Sequence, residues 1–267
     1  MADGGHARSI PVLKVTTTRA CWMGCAFCDF ATPVPLRNPG RVAAAIAPHQ
    51  LPPSWPREEL VKIRGGLTVT EPFGYFVNLV RRIRHRTASP IQAFSAVELD
   101  HHHRVERRPV HELLSLLRDA GATNLGPGGG EWLIDPIRQQ LSPYRLPAQR
   151  WLEIAVLAAD NGISPAGLVG VAPFVDEEAM DTHLTALLQI RQLAHVVVKP
   201  FRPAGTKLAM FAAPHLLTVA SIIEEIRRRR PSLPIYMSGT AIGEDGRWLL
   251  VNRGLTAFWD TVLEVGP

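Results

Sequence analysis

The chain has 267 residues, of which 46% are hydrophobic and 20% charged, a composition that supports a folded core and excludes a disordered protein. Its length suits a single α/β barrel domain, which commonly takes about 250 residues. The formal net charge of +5 can attract an acidic electron-donor protein or an anionic substrate, and neutral drift is the equal alternative. This charge is too small to indicate nucleic-acid binding.

The termini and the apolar runs bear on the location of the protein. No stretch of about 18 apolar residues is free of charges and helix breakers, so no membrane span is predicted. Residues 1–9 contain no apolar core of a signal peptide. We therefore predict a cytoplasmic protein with one domain over residues 1–267, in which residues 1–10 form a flexible N terminus.

A predicted strand at residues 12–18, rich in β-branched side chains, leads into a cysteine motif. All three cysteines of the chain, Cys21, Cys25 and Cys28, have the spacing C-x3-C-x2-C. Neighbours this close are poor disulfide partners for a core, so the spacing indicates metal binding or catalysis. Three thiolates can hold three irons of a [4Fe–4S] cubane and leave the fourth iron open. A zinc or redox-sensing loop, with a fourth ligand from elsewhere, and incidental buried cysteines are the alternatives.

This spacing resembles the cluster loop of the radical S-adenosylmethionine (SAM) superfamily. The resemblance implies that SAM binds the open iron and that an electron from the cluster cleaves it to a 5′-deoxyadenosyl radical. Phe27 stands where the superfamily usually has an aromatic residue, and it is a candidate for cofactor binding. A small-molecule substrate and a flavodoxin- or ferredoxin-type electron donor are implied in turn.

Helices and strands are predicted to alternate after the motif. The predicted helices are 41–49, 75–86, 110–120, 148–161, 177–194 and 216–230. The predicted strands are 60–64, 91–99, 166–171, 196–199, 234–238 and 248–251. Such alternation implies βαβ units and a parallel sheet, which right-handed crossovers curl into a barrel. With six or seven βα units, the α/β chain is predicted to form a partial (β/α)6–8 barrel, with residues 211–267 as its diverged C-terminal part.

Candidate binding residues follow the strands, because the chemistry of such barrels lies where strands end and βα loops begin. Gly65 and Gly66 follow the second predicted strand. Since glycine lets backbone approach a ligand, this pair is a candidate for binding the SAM amino group, and a simple turn is the alternative. Ser95 and Glu98 end the strand predicted at 91–99. Ser95 is a candidate for cofactor binding. The Glu98 carboxylate is a candidate catalytic residue that can bind ribose hydroxyls or act on substrate, and a surface position is the alternative.

Polar candidates also follow the later strands. Glu131 comes directly after three glycines. It is a candidate catalytic residue and a candidate for cofactor binding, because it can hydrogen-bond the ammonium or ribose of SAM. Arg150, at the start of a predicted helix, can clamp the SAM carboxylate in a bidentate way. Ordinary surface salt bridges are the alternative for both residues. Arg202 and Thr206 can contact an anionic group of the substrate.

Several segments resemble one subgroup of the superfamily. It contains aminodeoxyfutalosine synthase and cyclic dehypoxanthine futalosine synthase of menaquinone biosynthesis, and the F420 deazaflavin synthase. The segments are Cys-Ala-Phe-Cys-Asp-Phe (25–30), Gly-Gly-Leu (65–67), Gln-Ala-Phe-Ser-Ala-Val-Glu-Leu (92–99), Leu-Arg-Asp-Ala-Gly (117–121), Pro-Gly-Gly-Gly-Glu (127–131), Ile-Arg (137–138), Arg-Trp-Leu-Glu-Ile (150–154) and Phe-Arg-Pro-Ala-Gly-Thr (201–206). By this resemblance Glu131 and Arg150 match residues that contact SAM, and Gly65 and Gly66 match the strand that receives its amino group.

The segment at 92–99 is most similar to aminodeoxyfutalosine synthase, a family that adds the adenosyl radical to an enolpyruvyl ether of benzoate. The chain departs from the subgroup at Thr68 and Val69, where His-Pro is usual, and after residue 210. We therefore predict a radical SAM enzyme that acts on a small aromatic or anionic metabolite, in menaquinone or specialised-metabolite biosynthesis. An F420 deazaflavin synthase-like enzyme and a non-catalytic iron–sulfur or zinc sensor are the alternatives.

Overall fold

The computed structural model describes residues 8–34, 51, 57–67, 71–239 and 242–266. The helix predicted at 41–49 lies outside these residues. The described strands are β1 Ser9–Thr16, β2 Ala20–Cys21, β3 Thr32–Pro33, β4 Leu60–Arg64, β5 Ile91–Ser95, β6 Asn124–Gly126, β7 Ser164–Val171, β8 His195–Pro200, β9 Ile235–Ser238 and β10 Ala257–Val265. The first strand thus begins inside the segment that we predicted to be a flexible N terminus.

The described helices are α1 Phe73–Arg84, α2 Ala96–Glu106, α3 Val110–Ala120, α4 Asp135–Leu141, α5 Ala148–Asp160, α6 Glu177–Leu188, α7 Leu216–Arg229 and α8 Glu244–Asn252. Helix α3 shows how the sequence sets the buried face and the end of a helix. Leu113, Leu114 and Leu117 share one buried face, and Gly121 ends the helix in a left-handed conformation that favours glycine. Among the described helices, none is long and apolar enough to cross a membrane.

Eight of these strands form one closed parallel barrel, in the order β1-β10-β9-β8-β7-β6-β5-β4. The predicted α/β barrel class is confirmed. Strands β6 and β10 had not been predicted, and β10 pairs with both β1 and β9 and closes the ring. The remaining two strands, β2 and β3, form a separate two-stranded sheet.

One predicted late strand is wrong. Residues 248–251 lie in helix α8, and the closing strand comes after it. Glu244 and Asp245 occupy the first turn of this helix, where negative charge is favoured by the helix dipole. The apolar run Trp-Leu-Leu-Val is therefore the middle of a helix.

The strand predicted at 91–99 is also shorter than expected. Strand β5 ends at Ser95, and helix α2 begins at Ala96. Phe94 has a φ of 60°, a left-handed conformation that turns the chain sharply at the strand end. Glu98 therefore stands in the first turn of α2, not at the end of a strand.

Side chains alternate between the two faces of the barrel strands. Leu13, Val15, Val61 and Ile63 pack in the core that includes buried helix residues. The other face of β1 carries Ile10 and Val12, which pack in a second cluster with Trp259 inside the barrel. We call this second cluster the barrel floor; it consists of Ile10, Val12, Leu60, Leu168, Val197, Ala257 and Trp259, with Tyr236 against it.

Candidate active site

The cysteine loop follows β1 at the carboxyl end of the barrel. Cys21 ends β2, while Cys25 and Cys28 lie between β2 and β3. The Ala26 N–H donates to the Leu141 carbonyl oxygen at 2.8 Å, and the Lys207 N–H donates to the Ala26 carbonyl oxygen at 2.9 Å. The loop is thus fixed by helix α4 on one side and by the loop after β8 on the other.

The three thiols are all half-buried. Burial raises the pKa of Cys21, and the nearby thiols Cys25 and Cys28 raise it further. Within the described part of the chain, no three His, Cys, Asp or Glu side chains are gathered closely enough to bind a single metal ion. As a donor set, three thiols in one anchored loop, with no other cysteine in the sequence, fit three corners of a cubane cluster.

A buried ion pair lies beside the cysteine loop. Arg145 Nη1 donates to Glu131 Oε2 at 2.7 Å, and its Nη2 donates to Cys25 Sγ at 3.4 Å. The two charged side chains are only 7% and 12% exposed, and the guanidinium lies 4.9 Å from the centre of the Phe27 ring. Burial alone would raise the pKa of Glu131, but the Arg145 charge overcomes it and lowers that pKa.

Sequence inspection missed Arg145. It lies 14 residues after Glu131, in the loop between α4 and α5, and no motif marks it. The ion pair exists because both loops fold toward the cysteine loop. Glu131 and Phe27, which were predicted to bind the cofactor, thus meet through a residue that had not been predicted.

The three glycines before Glu131 pass between two packed helices. A Cβ on Gly129, whose φ is +83°, would lie 2.1 Å from Val97 Cγ2, and a Cβ on Gly130 would lie 2.8 Å from Trp151 Cζ2. The buried Arg138 guanidinium donates to the Gly129 carbonyl oxygen at 2.7 Å. The glycines are therefore required for close packing, and this packing fixes the carboxylate that follows them.

Gly65 and Gly66 pack against the chain that enters the cysteine loop. A Cβ on Gly65 would lie 2.0 Å from Thr17 Oγ1, and one on Gly66 would lie 2.1 Å from the Ala20 carbonyl oxygen. The Gly66 N–H donates to the Thr18 carbonyl oxygen at 2.8 Å. This contact explains why glycine occupies both positions, while their binding of SAM stays a prediction.

Ser95 and Glu98 form the N-terminal cap of α2. Ser95 Oγ donates to Glu98 Oε2 at 2.7 Å and accepts from the Glu98 N–H at 3.4 Å, which is a reciprocal capping arrangement. Burial raises the pKa of Glu98 to about 7. A carboxyl with this pKa can give or take a proton near neutral pH.

Arg150 has two acidic partners. Its Nε donates to Asp100 Oδ1 of α2 at 3.2 Å, and its Nη1 donates to Glu153 Oε2 at 3.3 Å. The guanidinium that contacts Glu131 is that of Arg145. Arg150 has no hydrogen bond to the cysteine loop or to Glu131 among the described residues. Its binding of the SAM carboxylate stays a prediction.

A small cleft lies between the cysteine loop and strands β7 and β8. Aromatic and charged side chains line it together. They are Phe27, Asp29, Glu131, Trp132, Gly170, Lys199, Pro200, Phe201 and Arg202. Lys199 Nζ lies 3.8 Å from Asp29 Oδ1. Thr206, by contrast, is bonded within its own loop, to the Pro203 carbonyl oxygen and the Leu208 N–H.

No family model matches the chain. Solved structures nevertheless have a similar fold. The crystal structure of methylornithine synthase (PylB) has this fold, with a TM-score of 0.69 and 18% identity over 94% of this chain and 72% of that one. The fold prediction is confirmed by this likeness.

Curated relatives show the predicted subgroup resemblance. Aminodeoxyfutalosine synthase from Thermus thermophilus is 26% identical over 210 residues, which are 74% of this chain and 55% of that protein. FO synthase from Mycobacterium leprae is 28% identical over 156 residues, 56% of this chain and 18% of that protein. The chain thus spans about half of the first relative and less of the second.

Proposed function

We propose that this protein is a radical SAM enzyme whose [4Fe–4S] cluster is held by Cys21, Cys25 and Cys28. The observation that carries the proposal is the anchored three-thiol loop, set over the carboxyl end of a closed barrel beside a cleft. When bound, the cluster supplies the electron that cleaves SAM to methionine and a 5′-deoxyadenosyl radical. The chain's own residues bind, orient and shield the reactants.

Four residues near the cysteine loop and the cleft have distinct parts in this proposal. Arg145 keeps Glu131 ionised, so that its carboxylate can accept hydrogen bonds from the ammonium or ribose of SAM. Phe27 packs against Trp132, with ring centres 4.9 Å apart, and limits water at the cleft. Glu98, with a pKa of about 7, is the candidate proton donor or acceptor for the substrate.

We further propose that the substrate is a small aromatic or anionic metabolite and that the reaction is of the aminodeoxyfutalosine synthase type. The 26% identity to that relative supports this finer assignment. The match to FO synthase favours the alternative of a deazaflavin synthase-like reaction. A flavodoxin- or ferredoxin-type protein is the proposed source of the electron.

Anaerobic reconstitution followed by product analysis tests the proposal. The reconstituted protein should hold about four irons and, with dithionite, convert SAM to 5′-deoxyadenosine and methionine. The Cys25→Ala variant should lose both properties, while Arg228→Met, a change of an exposed side chain on α7, should keep them. A wild-type protein that holds the cluster but never cleaves SAM would contradict the enzyme assignment.

The reaction type and the sensor alternative need separate measurements. Incubation with an enolpyruvyl ether of benzoate should give a product whose mass includes the adenosyl group, whereas release of 5′-deoxyadenosine alone would favour hydrogen abstraction. An iron–sulfur or zinc sensor would bind metal but not SAM. Replacement of Arg150 by Met should weaken SAM binding in the enzyme and leave metal content unchanged in a sensor.

A further inference from the structure

Lysine is rare in this chain, and its placement is uneven. The 29 basic residues include only four lysines, and three of these lie on barrel strands. Lys14 of β1 stands beside Lys62 of β4 in the paired register, and Lys199 lies near the end of β8. The fourth lysine, Lys207, lies in the loop after β8.

Lys14 and Lys62 project into the barrel, above its apolar floor. Lys14 follows Ile10 and Val12 on the same face of β1, because side chains two residues apart point to one side of a strand. The Lys62 Nζ atom lies 3.7 Å from the centre of the Trp259 ring in the floor. The two ammonium groups therefore stand between this floor and the open mouth of the barrel.

The charges around these two lysines do not balance. Glu264 pairs with Arg64 at 2.8 Å and also attracts Lys14, so one carboxylate faces both cations. Lys199 lies near Asp29 of the cysteine loop. Among the described residues, no carboxylate lies within 4.0 Å of Lys14 or Lys62, the distance that defines an ion pair. Burial, helped by the charges of Lys14, Arg64 and Lys199, lowers the pKa of Lys62 well below its usual value.

The positive charge around Lys62 extends to the cleft. Lys199 lines the cleft together with Glu131, and it interacts electrostatically with both Lys62 and Glu131. Lys199 at the cleft and Lys14 and Lys62 on neighbouring barrel strands thus form one positively charged region. Buried charges are normally paired, so a missing anionic partner is the physical explanation for this arrangement.

We infer that Lys14 and Lys62 bind a carboxylate of the substrate over the Trp259 ring, inside the barrel. Charge-assisted hydrogen bonds from the two ammonium groups supply the counter-charge, and the indole face supports an apolar or aromatic part of the molecule. The rest of the substrate then extends toward Phe27 and Glu131. This inference rests on the proposed function, because the substrate meant is that of the same site.

Binding of simple anions to the reconstituted holoprotein tests the inference. Isothermal titration calorimetry in the presence of SAM should show that benzoate binds and that benzyl alcohol does not. Lys62→Met and Lys14→Met should each weaken benzoate binding at least about tenfold, the loss of one charge-assisted contact. Lys207→Met should bind benzoate as wild type does, and circular dichroism verifies that each variant is folded.

Three outcomes would overturn the inference. The first is an unchanged benzoate affinity in both lysine variants. The second is displacement of benzoate by SAM, which would make the lysines a SAM site. The third is tighter binding of phenyl phosphate than of benzoate. Failure of the wild-type protein to cleave SAM, with benzoate binding intact, would contradict the proposed function alone. Normal cleavage of SAM without benzoate binding would contradict the lysine site alone.

Discussion

At the scale of single residues, the Arg145–Glu131 pair carries the largest local charge interaction beside the cysteine loop. Both side chains are nearly inaccessible to water, so removal of one partner leaves a buried charge without compensation. We expect Arg145→Met to lower the free energy of unfolding by about 3 kcal/mol. It should also reduce iron incorporation, because Cys25 loses the hydrogen bond from Arg145. Urea unfolding and iron analysis measure the two effects.

A second substitution separates charge from packing in that pair. The double variant Arg145→Met with Glu131→Gln removes both charges and should recover much of the lost stability. If the double variant is as unstable as the single one, the loss comes from packing against Phe27. Substitution in the exposed Arg228–Glu225 pair is the matched control and should change stability little.

Glu98 gives a pH-dependent prediction. Its pKa is about 7 in the folded chain, against an ordinary value of 4.5, so the folded state keeps the proton longer than the unfolded state. The contribution of Glu98 to stability is therefore full below pH 4.5 and is lost as pH rises to about 7. Relative to wild type, Glu98→Gln should gain at most about 3 kcal/mol between pH 5 and pH 8.

Urea unfolding of both proteins at the two pH values measures this difference. Glutamine keeps an acceptor for the Ser95 hydroxyl, so the cap of α2 is retained. An equal difference between the two proteins at pH 5 and pH 8 would show that Glu98 is not held in its protonated form.

At the scale of elements, the glycine run before Glu131 is held by contact rather than by conformation alone. Gly129 and Gly205 both have positive φ, +83° and +77°, but only Gly129 has a close neighbour, Val97, while nothing lies within 4 Å at Gly205. Alanine therefore costs about 1 kcal/mol of backbone strain at either position. At Gly129 it should cost about 1–3 kcal/mol more from overpacking.

Thermal or urea unfolding of the two alanine variants tests this difference. Addition of Val97→Ala to Gly129→Ala should restore part of the lost stability, because it removes the methyl group that the new Cβ would meet. Equal stability of the Gly129 and Gly205 variants would mean that the loop shifts away from α2 without cost.

The same elements show how far sequence patterns predict this fold. Helices α1, α3, α5 and α7 have clear apolar faces or stop signals, and the patterns located them within two residues. Helix α2 was missed because its apolar start, Ala96 and Val97, continues the strand β5. Its Ser-x-x-Glu cap was present but was overlooked, and the turn depends on the left-handed Phe94, which no sequence rule favours.

At the scale of the whole molecule, barrel closure and the pairing of distant charges were beyond pattern analysis. Strand β10 begins with buried Ala257, Phe258 and Trp259 but continues with charged residues, so it lacks the continuous apolar run of a buried strand. The cysteines and Glu131 were found because their motifs are local. Arg145 and the barrel lysines were not found, because their roles depend on neighbours on other strands or loops, which the sequence does not place beside them.

The barrel interior gives a final prediction that joins stability to binding. Lys62 is desolvated among positive neighbours, so its charged form is unfavourable in the folded chain, which lowers its pKa. Above its ordinary pKa of 10.5, Lys62 is neutral in both states and does not destabilise the fold. As pH falls from 10.5 toward the lowered pKa, the free energy of unfolding decreases. Lys62→Met should therefore be more stable than wild type at pH 7, by about 1–2 kcal/mol, and the gain should shrink toward pH 10.

Thermal unfolding at pH 7 and pH 10 measures that gain, and Lys207→Met is the control for loss of a lysine elsewhere. Benzoate should reduce the difference in stability between Lys62→Met and wild type at pH 7, because it binds and stabilises the folded wild-type protein but not the variant. A Lys62→Met variant that is less stable than wild type at pH 7 would mean that the stem of Lys62 over Trp259 stabilises the barrel. A gain in stability together with lost benzoate binding would mean that the lysine is kept for its ligand at a cost to the fold.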